Sequence, residues 1–80
     1  MQQFPDLTYN QVALMRVDKK NGNIVNEDFD LALKDDHVVF TVFNSFEEAK
    51  DCADAITSFN EKVDVIIYSG RREVLYRSNS

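Results

Sequence analysis

Apolar and polar residues alternate along two stretches of the chain and recur at helical spacing along a third. Val12 and Leu14 fall on one face of an extended chain, and Phe29, Leu31 and Leu33 fall on one face of another, with Asn26, Asp28 and Asp30 on its reverse. That alternation is the mark of a half-buried antiparallel sheet. Between the two stretches stands Lys20-Asn21-Gly22-Asn23. Asn-Gly accepts positive φ at both central positions of a two-residue turn, so the segment predicts a hairpin with Lys20 opposite Asn23. Counting outward sets Arg16 against Glu27, Leu14 against Phe29 and Val12 against Leu31. The Arg16/Glu27 pair then adds an opposite-charge contact of about 0.2–1 kcal/mol.

His37-Val38-Val39-Phe40-Thr41-Val42-Phe43 carries the β-branched and aromatic bias of a central strand and completes a three-stranded meander. Ser45-Phe46-Glu47-Glu48 then has the spacing of a capping box: the Ser45 oxygen can accept the Glu48 amide, and the Glu48 carboxylate can reach back. In the helix that follows, Phe46, Ala49, Cys52, Ala53, Ile56 and Phe59 recur at steps of three and four on one face. Glu47, Lys50, Asp51, Asp54 and Ser58 take the other face, and the acidic first turn suits the positive end of the helix dipole. Val63-Asp64-Val65-Ile66-Ile67-Tyr68 reads as a buried strand and Ser69-Gly70-Arg71-Arg72 as a turn. Glu73-Val74-Leu75-Tyr76-Arg77 returns, with Val74 and Tyr76 together toward the core. The order βββαββ defines an α+β domain of two layers, a mainly antiparallel five-stranded sheet under one helix.

One helix covers one face. The second face of the first hairpin is also apolar, with Ala13, Met15, Val17 and Ile24. Either the segment 4–9 folds back over it or a second copy of the chain does, and intramolecular cover is favoured because it costs no translational entropy.

Eighty residues suffice for one small domain, expected over 1–77 with 78–80 as a tail, and folding at this size buries roughly 60–65% of the surface of the unfolded chain. The net charge of -5 is regional: residues 26–54 hold nine carboxylates against Lys34 and Lys50, while each flank is slightly basic. A net negative charge repels nucleic acid at long range, although a local basic patch acts within a Debye length of about 8 Å. The lone Cys52 supports neither a disulfide framework nor a multi-cysteine zinc site, which points to a reducing compartment. The first residues have no basic start or apolar run, and no segment nears the ~20 apolar residues of a membrane span, so a cytoplasmic location is expected.

Candidate chemistry is sparse. Aligning Gly22 with the glycine of a calcium-binding loop puts Val17 and Lys19 where carboxylates must coordinate, so the turn reading accounts for the same residues. His37 beside Asp35 and Asp36 could serve as a base and Cys52 as a nucleophile, but Cys52 lies in the apolar stripe, where burial raises a thiol pKa. No phosphate-cradling glycine loop and no serine-hydrolase motif occurs. The sequence therefore predicts a protein-interaction module without catalysis, cofactor or metal, taking a protein partner or forming a homodimer. Its contact would be the second sheet face, through Met15, Val17 and Ile24, or the acidic surface that includes Asp28 and Asp30. One alternative is nucleic-acid binding through Arg71, Arg72, Arg77 and Tyr68, since guanidinium groups hold phosphates and rings stack on unpaired bases. Another is an acidic inhibitor or decoy aimed at a basic protein site.

Overall fold

The computed structural model describes residues 4–20, 22–25 and 39–78. Five strands and one helix follow in the order β1 (Val12–Asp18), β2 (Ile24–Val25), β3 (Phe40–Phe43), α1 (Phe46–Phe59), β4 (Val63–Tyr68) and β5 (Val74–Arg77). All pairings are antiparallel, so the α+β class and the βββαββ order expected from the pattern describe the molecule. β1 and β4 form the centre of the sheet, β5 lies outside β4, and the far edge of β1 is shared by β2 and β3.

That sharing corrects the meander. Along β1, Val12 to Met15 pair with Phe43 to Phe40, and Arg16 and Val17 pair with Val25 and Ile24. β2 and β3 thus stand end to end beside one strand. The places beside Leu14 and Val12 expected for Phe29 and Leu31 belong to Thr41 and Phe43. Residues 26–38, which carry Asp28, Asp30 and His37, lie outside the described residues.

The hairpin register is also two residues from the one that Asn-Gly alone predicts, with Arg16 opposite Val25 instead of Glu27. The cause is Asp18. Its carboxylate accepts the Lys20 amide at 2.8 Å, an Asx-type turn that reverses the chain earlier than the Asn-Gly pair would. The Asp18 amide donates to the Asn23 carbonyl at 2.7 Å and the Gly22 amide to the Asp18 carbonyl at 2.8 Å, which closes the hairpin between Asp18 and Asn23. Gly22, at φ 73°, supplies the left-handed position such loops need. A shift of two leaves every side chain on its expected face.

Val12, Leu14, Val65 and Ile67 form the core on one side of the sheet and receive Ala49 and Ala53 of α1. The small helix residues let the backbone approach the sheet, while Phe46, Cys52 and Ile56 pack around them. Ser45 caps the helix as expected, its Oγ accepting the Glu48 amide at 3.2 Å. Phe59 departs from the expected apolar face and is 82% exposed. It ends the last helical turn, where Asn60 turns the chain into β4: the Val63 amide donates to the Asn60 carbonyl, and the Asn60 side chain accepts the Lys62 amide.

On the other side, Met15, Val17 and Ile66 are buried, with Ile24, Phe40 and Tyr68 packed against them. Phe4 folds back over this face, as intramolecular cover requires. Its ring meets Phe40 edge-on at 5.2 Å and Tyr68 at 5.9 Å between centroids. Both are favourable aromatic geometries.

β5 holds two further corrections. A bulge shifts the register between Ile67/Tyr76 and Tyr68/Val74, so Val74 pairs with a residue of the second face and is 58% exposed, while Tyr76 alone faces the helix. Ser78, expected to begin a tail, is held to β4 by its amide on the Val65 carbonyl and its Oγ under the Val65 amide. Arg16, expected to pair with Glu27, lies opposite Val25 and is buried, and its Nη1 donates to Thr41 Oγ1 at 3.0 Å.

Candidate interaction surface

The segment before β1 makes a tight turn at Thr8–Gln11. The Gln11 amide donates to the Thr8 carbonyl at 3.1 Å, and the Gln11 side-chain oxygen accepts the Thr8 amide at 3.0 Å. The same side chain donates to Asn44 Oδ1 at 3.2 Å, fastening the turn to the loop between β3 and α1. This triply bonded turn presents Tyr9, which is 99% exposed.

Tyr9 stands between two open depressions. One, of about 520 Å³, runs from Tyr9 past Val12 and Asn44 to Phe46 and Glu47 at the start of α1. The other, of about 490 Å³, runs from Tyr9 past Leu7 to Gly70, Arg71 and Glu73. Their outer limits differ in charge. Beyond Glu47 the helix exposes Glu48, Asp51 and Asp54, and its one cation, Lys50, bonds Asp54 at 3.3 Å and lies 5.6 Å over the Tyr76 ring.

The turn between β4 and β5 carries the arginines. Ser69 organises it: its Oγ accepts the Arg71 and Glu73 amides, its carbonyl accepts the Arg72 amide, and its own amide donates to the Glu73 carbonyl. This is a three-residue hairpin loop, whose last position is left-handed. Arg72 holds that position at φ 65°, where a side chain is strained. Its guanidinium carbon lies 5.2 Å from the Phe4 ring centroid, within cation–π range. Gly70 has room for a side chain: a Cβ there would meet Leu7 Cβ at 3.5 Å, ordinary contact.

The residues singled out in the sequence are thus placed as follows. Met15 and Val17 are core residues of this chain and Ile24 is half-buried beside them, so they offer a partner no open apolar face. Tyr68 and Arg72 meet through Phe4, Arg71 is exposed on the turn, and Arg77 lies at the opposite end of β5, paired with Ile66. Cys52 packs half-buried against the core, and among the described residues no three His, Cys, Asp or Glu side chains gather as a metal would require. Among the same residues no helix is long and apolar enough to cross a membrane. The sequence reading placed Tyr9 in a covering segment and not on an exposed turn, because it belongs to no periodic stretch; the run Thr8 to Gln11 ahead of an apolar strand was the one signal of the turn.

The fold and this surface define a small two-layer α+β domain with an exposed aromatic on a fixed turn. Comparison with protein-family models, with curated proteins and with solved structures gives no match.

Proposed function

We propose that the domain is a protein-interaction module without catalytic activity, and that Tyr9 anchors its contact with a partner protein. The exposure of Tyr9 on a triply bonded turn carries this reading. A tyrosine brings large amphipathic contact area, and a backbone already fixed loses little entropy on docking. Buried tyrosines surrounded by less critical contacts are frequent energetic centres of interfaces. The depressions on either side give a partner concave surface to fill around the ring.

The acidic decoy reading has an observation of its own. Glu47, Glu48, Asp51 and Asp54 are exposed along one helix, next to the Tyr9 depression, with Lys50 engaged by Asp54. Such a surface favours a basic partner and speeds its approach, with a rate that falls as salt rises. Nucleic-acid binding has less support, because Tyr68 and Arg72 are committed to Phe4.

The test places a photo-crosslinking benzoylphenylalanine at position 9 and, as a control, at position 58 of the full chain in a native extract. A discrete adduct is expected from position 9 alone, competed by the unmodified protein and not by Tyr9→Ala. No adduct, or equal competition by Tyr9→Ala, overturns the reading.

A further inference from the structure

β5 has β4 along one side, and among the described residues no strand along the other. An edge strand offers its outward backbone donors and acceptors to any extended chain that reaches it. α1 rests mainly on β4, β1 and β3, and at β5 Phe46, Lys50 and Asp54 meet Tyr76, so the helix layer thins toward this rim. In the first half of the strand Val74 and Leu75 are 58% and 46% exposed. Arg71 stands at one end and Arg77 at the other, with Arg72 turned onto the Phe4 ring, against the single carboxylate of Glu73.

We infer that β5 is a docking edge for an extended acidic segment of another protein, which adds to the sheet as a sixth strand. Main-chain hydrogen bonds supply the attachment and the alternate side chains the selectivity. Charge decides the occupant. Two copies of this edge would bring Arg71 and Arg77 of each together and repel each other, whereas carboxylates flanking a short apolar centre meet cations at both ends and Val74 and Leu75 between them. The arginines thus discourage self-pairing and select an acidic strand in the same arrangement. The bulge beside Tyr68 keeps the regular stretch short, so side-chain charge must supplement few backbone bonds and the affinity is modest and salt-sensitive. This site does not depend on Tyr9.

The probe is an acetylated and amidated peptide with two glutamates on each side of a valine-threonine-valine centre, titrated into the isotope-labelled full chain and followed by amide chemical shifts. Shifts are expected along β5 and the Ser69 to Glu73 turn, weakened about fivefold by Arg77→Glu and further weakened by salt. Arg71→Glu, on the exposed turn, gives the same direction of change should Arg77→Glu disturb folding. N-methylation of alternate peptide amides keeps the charge and removes the backbone donors, and it should abolish binding. The inference is overturned by an absence of shifts at millimolar peptide. Binding that survives N-methylation, which would be charge attraction alone, overturns it too, as does sedimentation of the free protein as a dimer that Arg77→Glu dissociates.

Discussion

On one face of the sheet α1 lays Ala49 and Ala53 against Leu14, Val65 and Ile67, and none of these five side chains is exposed. On the other face Met15, Val17 and Ile66 retain between 6% and 9% exposure, and the ring of Phe4 closes over their margin at Phe40 and Tyr68. The first face is covered by fourteen residues of continuous helix whose backbone bonds are satisfied internally. Phe4 reaches the second from an irregular segment and is itself held by Arg72, a residue in a strained conformation. Burial by a helix is cooperative, since each turn positions the next. Among the described residues the second face is closed by Ile24, Phe40, Tyr68 and the folded-back ring of Phe4, a set of separable contacts, so the two faces should differ in how much stability one substitution removes and in how readily they open.

The largest effect is expected from Leu14→Ala. Leu14 is fully buried and deletion leaves a cavity under α1, so chemical denaturation should show a loss of about 2–5 kcal/mol. Phe4→Ala should cost less, about 1–2 kcal/mol, because the ring is only half-buried and contributes edge-on contacts as well as area. It should also raise amide exchange in β1 and β4 and increase binding of a hydrophobic dye. A Phe4→Ala protein with unchanged stability and exchange would remove the distinction between the faces.

Arg72 separates two contributions of similar size. Arg72→Ala loses the ring contact, worth about 0.5–1 kcal/mol, and keeps the left-handed strain. Arg72→Gly loses the same contact and relieves strain of about 1 kcal/mol, so it should match the parent protein and exceed the alanine variant. Equal melting of the two variants would mean that φ 65° carries no strain. The smallest change is expected from Gly70→Ala, within about 0.5 kcal/mol, because the new methyl meets Leu7 at ordinary contact distance and Gly70 is not the left-handed residue of its turn.

That last residue shows where sequence reasoning ended. A turn at Ser69 to Arg72 was legible, but not that Arg72, rather than the glycine in it, takes the left-handed position. The Ser45 cap, the helical stripe and the buried strand Val63 to Tyr68 were legible because each rests on local periodicity or local bonding. The existence of the first hairpin was legible too, but its register was not, since slipping by two preserves every apolar face and the deciding contact is one Asp18 hydrogen bond. The lateral order of strands was beyond reach, because nothing local tells β1 that Phe40 to Phe43 will lie beside Val12 to Met15. Of the candidate surface, Arg71 and Arg77 were named in advance, whereas Tyr9 was seen only as part of a possible cover.

The end-to-end arrangement of β2 and β3 makes β1 a docking rail with a gate in it. Val25 and Phe40 take consecutive positions along that rail, opposite Arg16 and Met15, so the chain departs and returns at adjoining rungs. The ladder therefore sets no requirement on how many residues separate departure from return. The two rungs fix where the chain leaves the ladder and where it re-enters, so one edge of β1 joins two separate stretches of the sequence into a single line of pairing.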